Sequence, residues 1–340
     1  MKETILSATT PLPSDLRRVD ECPGCQSRHL EPFGGTEYRA IPLKYERCRE
    51  CNLLFMNPRP SQEWYNRLYT DEFWRSKREK SDKGNARKQL FKEAKFAAKI
   101  GDLLDAVGFA QSNPNPEILE VGCAFGLIVR LVAERFHGRG WGVEPSDEAK
   151  LVAERIVGTP IYARSMDELI ANDKRERFDL IIFSHVLENI TNAPEALHAA
   201  QRLLKADGLI LIDTRNNYWF RSWHIHHPYC FTAPSLSRML ARAGLQTIKT
   251  RTWSRPKMAY GGLYLSIVAQ RRDAIPVWEP LPVMASLHMR FGPAVYRLLT
   301  PWVVRYLNSR VAQHRWRLEE GVRRRVAELV NLLPDTPIQS

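Results

Sequence analysis

Small residues stand at every second position in the run Glu120-Val121-Gly122-Cys123-Ala124-Phe125-Gly126, and an acid, Glu144, closes the apolar stretch Trp141-Gly142-Val143 further on. Such a turn lets backbone approach a ligand closely. The helix after it offers unpaired N–H groups, and a carboxylate ending the second strand can accept from ribose hydroxyls. A dinucleotide site wants glycine at the first, third and sixth positions, so that a pyrophosphate sits on the helix N-terminus. Here those positions hold Gly122, Ala124 and Leu127. Glu120 beside the turn suits a ligand carrying an ammonium or sulfonium cation instead, which disfavours NAD and favours a sulfonium nucleoside.

A second constellation lies near the N-terminus. Cys22-Pro23-Gly24-Cys25 and Cys48-Arg49-Glu50-Cys51 are two C-x₂-C pairs with twenty-two residues between them. Each pair presents two thiolates on one tight knuckle, and two knuckles complete a tetrahedral S₄ site suited to Zn²⁺. A ribbon hairpin between Arg28 and Glu46 would absorb the long spacing. Redox or disulfide roles fit less well, because no βαβ pattern accompanies the first pair and no secretory pattern precedes it. Four thiolates leave no open coordination position, so the expected zinc is structural.

The elements that must position these residues alternate. Short apolar strands are expected at 117–121, 139–143, 159–163, 178–183, 208–213, 246–252 and 264–270, with helices starting near Gly126, Asp147, Asp167, Pro194 and Pro234. This predicts an α/β fold: a doubly wound, Rossmann-like, seven-stranded and mostly parallel sheet, its last two strands a hairpin across Tyr260-Gly261-Gly262. A small zinc ribbon precedes it and a helical extension follows. The expected division is 1–70 for the zinc segment, 71–115 for a basic amphipathic helical linker, 116–272 for the sheet domain and 273–340 for the extension. Ligand is expected at the carboxyl ends of the strands, between the first and the fourth.

The motifs resemble those of the class I S-adenosylmethionine-dependent methyltransferases. Phe178-Asp179-Leu180-Ile181-Ile182-Phe183-Ser184-His185-Val186-Leu187-Glu188-Asn189-Ile190 is similar to that family's fourth strand and the segment after it. Leu203–Ile212 is similar to its helix, turn and fifth strand, and His227-Pro228-Tyr229-Cys230-Phe231-Thr232 to the loop before the last hairpin. Together with the glycine turn, these cover roughly half the chain in family order. Two positions depart from the pattern. Ala124 stands where many relatives have glycine. His185, Glu188 and Asn189 replace the Glu-x-x-Glu-His run of some metal-dependent relatives, so no catalytic magnesium is expected. The run Cys51–Pro60 resembles an N-terminal zinc-binding segment carried by a subset of these enzymes, some of them sugar-modifying.

The resemblance implies S-adenosylmethionine as cofactor. The Gly122–Gly126 backbone, with Cys123 and Ala124, would line its methionine and ribose. Glu120 would precede them, and Glu144 would accept from the ribose hydroxyls. Met166 and Asp167 would flank the adenine, and Ser184 would stand at the methionine end. Methyl transfer is an in-line displacement in which the protein chiefly positions the reactants, with a base where the acceptor must lose a proton. The candidates are His227 first, with His185 and Tyr229. Each also has a bland role available, since His185 can cap a helix and a loop histidine can bond a carbonyl.

Composition bounds the partners. The chain has 340 residues, 50 Lys plus Arg against 38 acids, and a formal charge of +12. That balance suits an anionic acceptor, nucleic acid or anionic lipid. The leading expectation is a small-molecule acceptor such as a sugar, sugar-nucleotide or glycan. An RNA methyltransferase and a non-catalytic cofactor-binding scaffold are the alternatives, the former weakened by the lack of an Asn-Pro-Pro-Tyr-like run after strand four. The cluster from Arg75 to Lys99 includes an amphipathic helix expected at 86–108. Aromatics and arginines in 283–333 allow peripheral membrane contact, although a docked helical hairpin fits better, because Glu319, Glu320 and Glu328 dilute the basic face. The absence of a signal pattern and of a spanning apolar run sets the expectation of a cytoplasmic enzyme.

Overall fold

The computed structural model describes residues 16–38, 41–69, 82–172, 176–217, 223–253, 264–272 and 319–333. The expected Tyr260-Gly261-Gly262 turn and residues 273–318 of the expected extension lie outside them.

Strand β1 (Leu16–Arg17) pairs with β5 (Arg59–Pro60). Between them β2 (Leu30–Tyr38), β3 (Ile41–Cys48) and β4 (Leu54–Met56) form the expected cysteine-bearing hairpin and a third strand. Helix α1 (Gln62–Arg67) follows, its N-cap Ser61 accepting from Trp64 N–H. Helix α2 (Asp82–Asp105) starts and ends a few residues before the expected 86–108, because the chain turns through left-handed Gly108 (φ +73°) into the short α3 (Phe109–Ser112).

The sheet domain then runs β6 (Glu117–Val121), α4 (Leu127–Arg135), β7 (Arg139–Val143), α5 (Asp147–Val152), β8 (Ile161–Ala163), α6 (Met166–Asn172), β9 (Phe178–Ser184), α7 (Ala193–Leu203) and β10 (Leu204–Arg215). It closes with β11 (Tyr229–Cys230), α8 (Ala233–Arg242), β12 (Leu245–Trp253) and β13 (Tyr264–Arg271), and α9 (Glu320–Asn331) comes last. The seven-stranded sheet has the order β12-β13-β10-β9-β6-β7-β8. The pairs from β10 to β8 are parallel, and β13 and β12 are antiparallel. Strand β8 begins two residues later than expected, because Thr159 N–H is turned back to Ala153 O (2.8 Å) beyond left-handed Gly158.

Strands β6 and β9 are buried along nearly their whole length. Covered on both faces, they read as unbroken apolar runs instead of alternating ones. Their reversal of order, β6 beside β9, is the switch point where ligands bind in such sheets.

The cysteine segment is not a separate bead. Cys22, Cys48, Cys51, Leu53 and Phe55 share one hydrophobic cluster with Leu119, Phe183, Phe231 and Met239 of the sheet domain. Strand β11 leaves that domain to pair with β4, giving the four-stranded order β11-β4-β3-β2. Helix α9 lays Val326, Leu329 and Val330 against Leu90 and Ala94 of α2, and Arg325 Nη2 bonds Glu134 Oε1 at 2.7 Å. Val326, Leu329, Val330 and Leu333 of the extension are therefore buried against the domain and are not offered to a membrane. Among the described residues no helix is long and apolar enough to cross a membrane.

Candidate cofactor cleft and acceptor wall

A cleft of about 580 Å³ opens at the carboxyl ends of β6, β7 and β9. Of the residues expected to hold a cofactor, Gly122, Ala124, Glu144, Met166, Asp167 and Ser184 line it, together with His185. The turn demands its small residues. Gly122 has φ +68°, and a Cβ there would meet Val186 Cγ2 at 2.4 Å. Ala124 also adopts a left-handed backbone (φ +51°), so the methyl group that replaces glycine carries a conformational cost of about 1 kcal/mol.

Glu144 is buried at the end of β7. Its Oε2 accepts from Ala124 N–H at 2.9 Å and its Oε1 from Ser146 N–H at 3.0 Å. One carboxylate thus shapes the turn while reaching the cleft. Glu120 behaves otherwise than expected. It does not line the cleft: only 1% exposed, it turns back to Val129 N–H of α4 (3.1 Å). Cys123 and Gly126 also face away. Cys123 packs beneath Gly142, and Gly126 (φ +72°) opens α4 while its carbonyl accepts from Thr159 Oγ1 at 2.9 Å.

Glu93 of α2 is a residue that the sequence did not single out. Its Oε2 accepts from Leu127 N–H at 3.0 Å and its Oε1 from Phe125 N–H at 3.4 Å. Carboxylates therefore take the N–H groups of Ala124, Phe125 and Leu127, the donors on which a pyrophosphate would sit. This gives a physical basis for disfavouring dinucleotides.

On the acceptor side, His185 adopts a left-handed backbone (φ +58°) just beyond β9. Its ring lies between Phe96 and Tyr264, with centroids 4.8 and 5.3 Å away. Nδ1 is 3.3 Å from Glu188 Oε1, and Nε2 is 3.8 Å from Asp213 Oδ2 without a hydrogen-bond partner. Burial pushes the Glu188 carboxyl upward, but the His185 hydrogen bond and charge, with the charge of His227 and a backbone hydrogen bond, together hold it below the usual carboxylate range. Asp213 is fully buried and bonded by Lys99 Nζ and Ser266 Oγ. Burial lowers the Lys99 ammonium, and the Asp213 charge opposes that shift. Lys99→Met should therefore destabilise the fold by about 3–5 kcal/mol, because it leaves a buried carboxylate without its counter-charge. Chemical denaturation compared with the Lys99→Met/Asp213→Leu pair checks this, and the double variant should recover most of the loss.

His227 and Tyr229, the other base candidates, are not brought to the cleft. Pairing of β11 with β4 draws the histidine loop onto the cysteine segment. The Tyr45 hydroxyl donates to His224 O and His227 O (3.1 and 3.2 Å), and the Tyr69 hydroxyl to His226 O (3.3 Å). The Tyr229 hydroxyl accepts from Arg59 Nη1 (2.8 Å) and donates to Thr191 O (2.7 Å), and burial pushes it up to about 12. These contacts describe a positioned loop.

The segment after the cysteines supplies the remaining wall. Gln62, Asn66 and Tyr69 line the cleft, and Gln62 Oε1 accepts from Thr191 N–H at 2.9 Å. The cleft also holds Lys92, Arg164 and Arg202 against Glu144, Asp167 and Glu195, so the basic excess of the chain is not concentrated there.

The four sulfurs of Cys22, Cys25, Cys48 and Cys51 lie within 4.8 Å of one another, with two contacts of 3.5 Å. A tetrahedral Zn–S₄ centre with bonds of about 2.3 Å spaces its sulfurs about 3.8 Å apart, so this donor set fits zinc.

Sheet order, glycine turn and acid after the second strand together define a class I S-adenosylmethionine-dependent methyltransferase fold. Residues 87–250 match the family model described as a methyltransferase domain, and the chain carries such a domain. Over 113 residues it is 30% identical to a ubiquinone biosynthesis O-methyltransferase of Bartonella quintana (strain Toulouse), covering 32% of this chain and 44% of that protein. A ubiquinone biosynthesis O-methyltransferase of Bradyrhizobium diazoefficiens is 31% identical over 106 residues, covering 30% and 41%. The chain thus spans less than half the length of these curated relatives. Among solved structures it is similar to the 1,6-didemethyltoxoflavin-N1-methyltransferase of Burkholderia thailandensis, crystallised with 1,6-didemethyltoxoflavin and S-adenosylhomocysteine (21% identity, 72% of this chain and 100% of that one, TM-score 0.48). Another is an S-adenosylmethionine-dependent methyltransferase from Mesorhizobium loti (17% identity, 48% and 96% coverage, TM-score 0.40).

Proposed function

We propose that the protein transfers a methyl group from S-adenosylmethionine to a hydroxyl of a small-molecule acceptor, with His185 as the base. The single observation that carries this reading is the convergence on one cleft of the turn, Glu144 and a histidine flanked by carboxylates. S-adenosylmethionine, when bound, supplies an electrophilic methyl group. Glu144 accepts from its ribose, Asp167 from its adenine amino group, and the Gly122–Ala124 backbone lines its methionine side. Donation from His185 Nδ1 to Glu188 leaves Nε2 as the basic nitrogen. A proton taken up at Nε2, which is buried beside Asp213 in the free protein, creates an imidazolium that Glu188 and Asp213 both stabilise.

A hydroxyl acceptor is favoured because its proton requires such a base and because the curated relatives are O-methyltransferases. A sugar or glycan acceptor is the narrower proposal and rests on the resemblance of the cysteine segment alone. The balanced charge of the cleft gives an anionic acceptor or RNA no specific support. Zinc held by Cys22, Cys25, Cys48 and Cys51 would order the described cysteine segment, which supplies Gln62, Asn66 and Tyr69 to the acceptor wall.

The test incubates the full chain with methyl-labelled cofactor and a cell extract, then identifies the labelled product. On that product, His185→Gln should lower kcat by about 10²–10⁴-fold with S-adenosylhomocysteine affinity unchanged. Unchanged turnover in the variant removes His185 from the mechanism.

A further inference from the structure

Helix α2 precedes the sheet, yet its Glu93 reaches the turn on which the cofactor is to rest. The residue is 2% exposed. Oε2 takes Leu127 N–H, the first amide of α4, while Oε1 takes both Phe125 N–H and Gln89 Nε2, the last at 2.8 Å. We propose that Glu93 is a positioning residue for the cofactor, its ionised carboxylate pinning the Gly122–Gly126 turn in the binding geometry. This rests on the reading of the cleft as an S-adenosylmethionine site and adds to it a residue from outside the sheet domain's own motifs.

The chemistry of the contact sets the requirement for charge. An ionised carboxylate offers an acceptor oxygen to each amide. A protonated one must place its O–H near one of the two donors, and the buried N–H that loses its partner pulls that side of the turn out of register.

The surroundings make that charge hard to keep. From its own helix Glu93 faces Gln89 and Lys92. From β6 it faces Glu120, and from the turn the Cys123 thiol. Its neighbours Leu90 and Ala94 and its partners Phe125 and Leu127 belong to an apolar cluster completed by Val326, Leu329 and Val330 of α9. Burial pushes the Glu93 carboxyl up to about 7, against the opposing pull of its three hydrogen-bond donors and Lys92. The sign follows directly. Below that pH the free protein holds a proton on Glu93 that must leave when the cofactor binds. Affinity therefore falls as pH drops, by up to about tenfold per unit, and levels off above about 7.

Calorimetric titration of the full chain with S-adenosylhomocysteine between pH 6 and 8.5 tests this, comparing wild type with Glu93→Gln. Wild type should bind about tenfold more weakly at pH 6 than at pH 8. The variant should be weaker than wild type at pH 8 and flat across the range, while any titration belonging to the ligand is shared by both proteins. A second measurement needs no variant. Wild type titrated at pH 7 in phosphate and in Tris should show different heats, because about half a proton is released per ligand bound. Parallel pH curves for the two proteins, or equal heats in the two buffers, overturn the role of Glu93. If Glu93→Gln fails to fold, the buffer pair decides alone. No binding by wild type at any pH would overturn the cofactor reading itself, a distinguishable failure.

Discussion

Replacing Glu144 with alanine should abolish measurable S-adenosylhomocysteine binding while the protein still folds. The side chain holds Ala124 N–H and Ser146 N–H in the free protein, and in the proposed complex it also accepts from the ribose. Hydrogen bonds to a charged group contribute about 1.5–3 kcal/mol each, and the ribose bonds and the shaping of the turn disappear together. The expected loss is therefore at least about 100-fold in affinity. Folding should survive, because the alanine lies at a strand end beside the cleft, where water can reach the freed amides. Glu144→Gln keeps the volume and one acceptor oxygen and should fall between the two. Calorimetry giving unchanged affinity for the alanine variant would falsify the assignment of Glu144.

The second large effect concerns the cysteines. Cys51→Ser should release zinc and reduce acceptor methylation by about 100-fold or more, while S-adenosylhomocysteine affinity changes only a few-fold. The asymmetry follows from geometry. Turn, Glu144 and Asp167 are positioned by the sheet, whereas Gln62, Asn66 and Tyr69 hang from the segment that the proposed zinc would order. Structural zinc supplies about 10 kcal/mol or more of folding free energy to small domains. This segment otherwise relies on a short hairpin, on β11 and on its share of the main core. Metal analysis of the purified chain should return one zinc, and the variant none. Full methylation by a zinc-free protein would detach the segment from acceptor binding.

The parallel sheet was open to inspection in the sequence because its central strands are buried on both faces and so stand out as apolar runs. The bounds of β6 and β7 agree with expectation, and the C-terminal hairpin strands extend by only a residue or so. The glycine turn was legible for a different reason: Gly122 and Gly126 sit at positive φ, where side chains are strained. The acceptor side was much less legible. Its pieces come from α1, α2, the segment after β9 and the end of β10, and no local spacing links them. His227 attracted notice through a histidine-rich loop, yet the β11–β4 pairing that carries the loop away is a long-range contact. Glu93 and Lys99 did leave a signal, each a charged residue on the apolar stripe of an amphipathic helix, next to Ala94 and Ile100. Glu120 misled for the converse reason, since a carboxylate beside a ligand turn can equally serve the helix behind it.

A crystal of the protein grown with saturating S-adenosylhomocysteine tests the central claim most directly. The nucleoside should lie across the ends of β6 and β7, its ribose on Glu144, its adenine between Met166 and Asp167, and its thioether toward Ser184 and His185. An empty cleft under those conditions, or a phosphate-bearing nucleotide seated on the N-terminus of α4, would contradict the account.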